Sequence, residues 1–186
     1  MALLPDEFGI YSARVTNVVN VLESVARGGK IWQRALAGQR WDITLESSLL
    51  LPDDADIAYA FLVARQIDGD SIQLKLPRYS FSDVPTKTTA LSATVGELSV
   101  NVTNSSNMVV GKYFTFSNHS KVYLVTGING NLVSFAPRLI SDVPSGSTMS
   151  FNDVQFNMIV RQRPQRFEVG ADSDSVRLQV DLSEAI

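Results

Sequence analysis

Arg40-Trp41-Asp42-Ile43-Thr44-Leu45-Glu46 is the stretch on which the fold turns. Trp41, Ile43 and Leu45 are apolar and every residue between them is polar, which is the two-residue period of a strand with one face in a core and one in water. The same period returns at Ile72, Leu74 and Leu76, at Leu98, Val100 and Val102, at Val154, Phe156, Met158 and Val160, and at Val176, Leu178, Val180 and Leu182. Strands wetted on one face belong to antiparallel sheets, so the chain reads as mainly β. Two less regular segments rich in Val, Ile and Trp, Arg14 to Leu22 and Lys30 to Ala37, are separated by Arg27-Gly28-Gly29 and read as a hairpin.

One helix breaks the series. Pro52-Asp53-Asp54-Ala55-Asp56 offers an N-cap and carboxylates for the positive end of the helix dipole, followed by Ile57, Phe61 and Ala64 on one face, with an end expected near Ile67. After Pro77-Arg78-Tyr79 the composition shifts, and Ser80 to Thr89, rich in Ser, Thr and Pro, reads as a linker with a boundary near Ser82. From there to Ser150 short strands are expected over 91–95, 97–103, 113–116, 121–126 and 131–136, separated by Asn/Gly/Ser turns. That spacing suits a small closed barrel of OB type. The alternating strands after Ser150 flank a loop from Arg163 to Ser175 and read as a second hairpin of the first unit. The expected organisation is a β-sandwich or barrel-like core domain with one helix, residues 1–82 and 151–186, interrupted by an inserted OB-like domain, residues 83–150.

Composition limits the chemistry. With 186 residues, 45% of them hydrophobic, the chain can bury a core without covalent staples. It has no cysteine, which removes disulfides, thiolate nucleophiles and cysteine metal sites and fits a reducing cytoplasm. A net charge of −3 gives no electrostatic basis for gripping nucleic acid. No apolar run approaches the roughly 20 residues that span a bilayer, and Met1-Ala2-Leu3-Leu4-Pro5-Asp6-Glu7 lacks a basic region, so neither a membrane segment nor a secretion signal is expected. Glycosylation-type triplets at Asn101, Asn104 and Asn118 read as chance products of Asn-rich turns.

No catalytic, cofactor-binding or metal-binding residue is assigned, and the chain reads as not an enzyme. His119 is the only histidine and lies in the turn Ser117-Asn118-His119-Ser120, a setting for a solvated loop histidine and not for a general base. Phosphate-cradling glycine patterns are missing, and metal sites of the His/Cys type cannot be assembled from this composition. The aspartates near Asp53 serve the helix start. The basic run Arg161-Gln162-Arg163-Pro164-Gln165-Arg166 reads as a solvated hairpin end. Tyr113, Phe114, Phe116, Tyr123 and Phe135 are expected to fill the small barrel, with Tyr113 and Tyr123 the two candidates for exposed carbohydrate-stacking residues.

The order Arg40-Trp41-Asp42-Ile43-Thr44-Leu45-Glu46, Leu51-Pro52-Asp53-Asp54, Ala60-Phe61-Leu62 and Leu74-Lys75-Leu76-Pro77 resembles the N-terminal part of distal tail proteins of siphophages, the long, flexible-tailed bacteriophages. His119-Ser120-Lys121-Val122-Tyr123-Leu124-Val125-Thr126 and Phe151-Asn152-Asp153-Val154-Gln155-Phe156 are similar to the OB-fold insertion, and its exit strand, of one subgroup. The resemblance implies a structural protein of the virion tail tip, made in the host cytoplasm, whose core domains form a ring, expected to be a hexamer. Its implied partners are further copies of itself, the tail tube protein, and the tail-tip hub and fibre proteins of the baseplate, with DNA passing the lumen ungripped. An alternative reading makes the insertion an oligosaccharide-binding module for attachment to the host surface.

Overall fold

The computed structural model describes residues 2–36, 38–161, 164–168 and 175–185. Five strands open the chain: β1 (Ala2–Leu3), β2 (Ile10–Val18), β3 (Val21–Val25), β4 (Ile31–Ala35) and β5 (Arg40–Ser47). A 3-10 turn, Asp6–Phe8, precedes β2, and helix α1 (Pro52–Asp68) leads to β6 (Ile72–Leu74). Six strands follow: β7 (Lys87–Thr88), β8 (Ser99–Asn101), β9 (Tyr113–Phe116), β10 (Val122–Asn129), β11 (Leu132–Ala136) and β12 (Thr148–Ser150). The chain closes with β13 (Phe156–Val160), β14 (Gln165–Glu168) and β15 (Val176–Glu184). This is the mainly β, sandwich-like architecture with one helix that the alternation predicts.

The main sheet runs β1-β6-β13-β15-β5-β2, so its middle combines strands from both ends of the chain. Along β5 the register sets Leu45 opposite Val180 and Ile43 opposite Leu182, which aligns the two inward rows. Trp41, Ile43 and Leu45 meet Leu178, Val180, Leu182, Phe156 and Met158 in one buried cluster. At about 1.5–3 kcal/mol per buried side chain, these alternating rows are the largest stabilising contribution of the sheet. One side of β15 is shared: β14 pairs with its residues 176–179 and β13 with 182–184. The expected C-terminal hairpin is therefore a pairing of β13 and β15, with β14 added inside what reads as its loop; residues 163 and 169–174 of that loop, and residue 162 before it, lie outside the described residues.

Helix α1 departs from the expectation in two ways. Leu51 is the N-cap and makes no side-chain cap bond, Pro52 occupying the first turn, where its missing N–H costs nothing. Asp53 and Asp54 lie in the first turn, inside the helix and not at its cap. The buried stripe is Ala55, Ala58 and Leu62, while Ile57 is 57% exposed and Ala64 faces solvent. Both stripes satisfy the helical period. The larger side chains favour the wrong one, because close packing against the sheet takes the smaller residues at Ala55 and Ala58. Gly69 ends the helix at φ 68°, the left-handed cap that glycine adopts without strain.

The hairpin expected over residues 14–37 is formed by β3 and β4 alone, with Val25 opposite Ile31 across the Gly28-Gly29 turn. Residues up to Val18 belong to β2, which pairs with β5 in the main sheet.

The second sheet runs β7-β12-β9-β10-β11-β8 and surrounds its own cluster, including Phe114, Phe116, Tyr123, Phe135 and Phe151. It has six strands, not five, and its ladder is not a continuous closed barrel. Its two edges touch beyond β7 and β8 through a bridge between Thr89 and Val102, where Ala90 N–H donates to Asn101 O at 2.7 Å. Residues 91–95 are not a strand, making only the Ala93–Val143 bridge. The Ser/Thr/Pro-rich stretch is tied down: Ser80 is buried, its Oγ accepts from Leu76 N–H at 2.7 Å, and Lys87 and Thr88 form β7.

Candidate functional site

The two sheets meet where β10 begins. Val122 belongs to the buried cluster of the main sheet, although its neighbour Tyr123 belongs to the other. The indole Nε1–H of Trp41 donates to Val122 O at 2.8 Å. Glu184, at the end of β15, lies between the sheets. One carboxylate oxygen accepts from Trp41 N–H at 3.1 Å, and the other from Val122 N–H at 3.3 Å. Lys121 closes the set with an ion pair to Glu184 and a bond to Gln39 O at 2.9 Å. Both charged side chains are 1% exposed. Burial pushes the Lys121 ammonium down and the Glu184 carboxyl up, while each partner's charge opposes the shift on the other. Beside this pair, Tyr113 stands edge-on to Trp41 at 5.5 Å and to Tyr79 at 5.1 Å.

Sequence reasoning missed this junction, since Lys121 and Glu184 are 63 residues apart. A signal was present. Glu184 continues the inward phase of Val176, Leu178, Val180 and Leu182, so the period that buries those four also buries a carboxylate, which requires a partner.

Of the carbohydrate candidates, Tyr123 is fully buried, stacked on Phe114 at 5.6 Å, and offers no face to a ligand. Its hydroxyl lies 2.7 Å from His119 Nε2 and accepts from Ile140 N–H at 3.4 Å. His119 is accordingly not a solvated loop residue. It is half-buried, with Nδ1 beside Asn118 Oδ1 at 3.0 Å, and burial holds its pKa below the ordinary value. With Nδ1 carrying the proton toward Asn118, Nε2 is free to accept from the Tyr123 hydroxyl, so both ring nitrogens have partners within the fold. Tyr113 is half-buried and lines a groove of about 450 Å³ with Arg78, Tyr79, Phe81 and Lys112. The basic run is neutralised internally where it is described: Arg161 pairs with Asp42 at 3.0 Å and Arg166 with Asp56 at 2.8 Å. Gln162 and Arg163 lie outside the described residues. Among the described residues, no group of three or more His, Cys, Asp or Glu is placed to hold a metal ion.

The chain is similar in sequence to a phage distal tail protein. It is 28% identical over 142 residues to distal tail protein pb9 of Escherichia phage T5, a match covering 69% of this chain and 68% of that protein. No protein-family model matches the sequence.

The remaining unusual surface is the β3–β4 hairpin. Among the described residues its strands pair only with each other. Every residue from Val21 to Arg34 is exposed, among them Leu22, Val25, Ile31 and Trp32, the last at 60%. Cross-strand register places Leu22 with Arg34, and Ser24 with Trp32, on one face, where the Lys30 ammonium sits 4.3 Å from the Trp32 ring centroid. The other face carries Glu23 bonded to Gln33 at 2.9 Å, flanked by Val25 and Ile31. An isolated two-stranded ribbon is marginally stable in water, and this one carries large exposed apolar side chains on both of its faces.

Proposed function

We propose that this chain is a structural component of a bacteriophage tail, a distal tail protein whose residues 1–82 and 151–186 form a ring-building core and whose residues 83–150 form an OB-like insertion. The observation that carries the reading is the sequence relation to a distal tail protein over about two thirds of each chain. The free hairpin supports it, because a head-to-tail ring joins one surface of each copy to a different surface on the next, and an unpartnered apolar ribbon offers one such surface. In this reading six copies surround the tail channel, between the tail tube protein and the hub and fibre proteins of the baseplate. The work is done by complementary surfaces and not by reactive groups. The protein is made in the host cytoplasm and resides at the virion tail tip.

Antibody raised against the chain and conjugated to gold is expected to label virions at the distal end of the tail. Label on the capsid or along the tube, with the tip unlabelled, sinks the proposal. The hairpin makes a second prediction. Replacing Ile31 and Trp32 together with Ser is expected to change unfolding free energy by no more than roughly 0.5 kcal/mol per site, as at other exposed positions, while preventing incorporation into tails. Denaturant titration and a complementation assay read the two halves. Normal incorporation of this variant removes the hairpin from the assembly.

A second reading attaches to the groove beside Tyr113, where exposed Phe81 and half-buried Tyr79 give the aromatic surface that an oligosaccharide-binding module requires. Here the stacking role passes from Tyr123, which is buried, to Tyr79 and Phe81.

A further inference from the structure

The groove beside Tyr113 lies where the second sheet joins the main one. Arg78, Tyr79, Phe81 and Ser82 come from the chain leaving the main sheet, and Lys112 and Tyr113 from the entry to β9. Its volume, about 450 Å³, falls within the range of small-ligand clefts. Two features set its chemistry. The first is aromatic: the Tyr79 and Tyr113 rings stand edge to face at 5.1 Å, and the Phe81 ring is 52% exposed. Tyr113 is fixed from behind by Trp41 and Phe156, with centroids at 5.5 and 5.9 Å, so this wall is held by the core. The second is charge. Arg78 and Lys112 line the groove and no carboxylate does, in a chain with more acidic than basic residues.

Six cations elsewhere are matched by carboxylates: Arg40 and Arg161 by Asp42, Arg65 by Asp70, Lys75 by Asp153, Lys121 by Glu184 and Arg166 by Asp56. Arg78 and Lys112 make no ion pair among the described residues and share one groove that holds no carboxylate. The Arg78 charge also acts on the Tyr113 hydroxyl, drawing its pKa down against the upward push of burial, which puts the guanidinium within electrostatic reach of the aromatic wall. A ligand suited to this arrangement has an apolar ring face to lie on an aromatic side chain, hydroxyls at its rim, and an anionic group for two cations, one of them a planar guanidinium that can bind a carboxylate through two parallel bonds.

We propose that this groove binds an acidic saccharide, with a sugar ring against Phe81 and Tyr79 and its carboxylate between Arg78 and Lys112. The proposal rests on the oligosaccharide reading above and narrows it to an anionic sugar at a named place. It is independent of ring formation.

The test is titration of the full chain with three probes: an oligogalacturonate, the same oligomer with its carboxylates methyl-esterified, and a neutral oligosaccharide. Binding is read by calorimetry and by chemical-shift changes in the tyrosine and phenylalanine rings. The acidic oligomer is expected to bind, and esterification, which removes charge and leaves the ring, to weaken it by about tenfold or more, as does raising salt from low to physiological strength. Arg78→Ala and Lys112→Ala should each reproduce that loss, and Phe81→Ala should weaken all binding. Because Arg78 and Phe81 are exposed and Lys112 is half-buried, unchanged emission from buried Trp41, read with exposed Trp32 replaced by Phe, confirms the fold of each variant. Equal binding of the acid and its ester, or binding untouched by Arg78→Ala and Lys112→Ala, overturns the acidic-saccharide groove while leaving oligosaccharide binding elsewhere on the chain intact. If none of the three probes binds at millimolar concentration, both readings fall.

Discussion

Glu184→Gln is expected to lower the stability of the protein by about 3–5 kcal/mol, the usual consequence of removing one member of a buried ion pair. For a chain of this length that corresponds to a fall in Tm of roughly 6–20 °C. The cost comes from what is left behind. Lys121 loses its counter-charge, and the new amide presents an NH2 donor in place of one of the two oxygens that accept from Trp41 N–H, Val122 N–H and the Lys121 ammonium. Lys121→Met makes the complementary test and adds a pH signature. Burial already raises the Glu184 carboxyl, and without the ammonium nothing but two backbone N–H groups holds it down. A carboxyl whose folded-state pKa lies above its unfolded one gives stability that is fully present below the ordinary value of 4.5 and is lost as pH rises through the folded value. The deficit of Lys121→Met relative to the unmodified chain should therefore be largest near neutral pH and shrink on acidification. In the cycle with Lys121→Met and Glu184→Gln combined, the double variant should cost less than the sum of the singles by about 1–3 kcal/mol. Urea titrations at several pH values measure all of this. Single-variant losses below about 1 kcal/mol, the range of exposed pairs, would show that the junction is wet and the pair incidental.

That junction marks the limit of what the chain's local patterns disclose. Period-two alternation locates the strands of the main sheet because each inward row obeys a local rule, and the rows at Trp41, Ile43, Leu45 and at Val176 to Leu182 are all buried. The helix is recognised by its proline, its acidic first turn and its terminal glycine, but its buried face is not. Ala55-Ala58-Leu62 and Ile57-Phe61-Ala64 have the same spacing, and only the sheet beneath chooses between them. The two candidate binding residues part for a related reason. Tyr113 and Tyr123 are both tyrosines on β strands of the second sheet, yet one edges the groove and the other sits in the aromatic core. Their difference comes from pairing: Tyr123 lies opposite Phe114, whose side chain points into the cluster, while Tyr113 points the other way, toward the main sheet. Alternation along Tyr113-Phe114-Thr115-Phe116 separates Tyr113 from the inward phenylalanines, but β10 departs from it, with Val122 and Tyr123 both buried because each faces a different core. A residue pair that serves two cores in succession is what joins the sheets, and no single-strand pattern anticipates it.

Tyr123→Ala should destabilise the second sheet by about 3–5 kcal/mol, as for other buried aromatic residues truncated to alanine. The ring lies within 5.3–5.6 Å of Phe114, Phe116, His119 and Phe135, so its removal opens a cavity in the middle of the cluster. Tyr123→Phe keeps the ring and removes only the hydroxyl, leaving Ile140 N–H and His119 Nε2 without their partner, at a cost of about 1–3 kcal/mol. The ratio of the two losses separates packing from hydrogen bonding. Trp41, buried and bonded to Val122, reports whether the main sheet follows: because Val122 adjoins Tyr123 in β10, unfolding of the second sheet should release the indole and shift its emission to the red. Coincident transitions by Trp41 fluorescence and far-UV dichroism would mean that the two sheets unfold together, held by the Lys121–Glu184 pair. If Tyr123→Ala melts the second sheet while Trp41 stays buried, the junction belongs to the main sheet alone. A loss below about 1 kcal/mol would return Tyr123 to the surface and, with it, to the stacking role that its burial excludes.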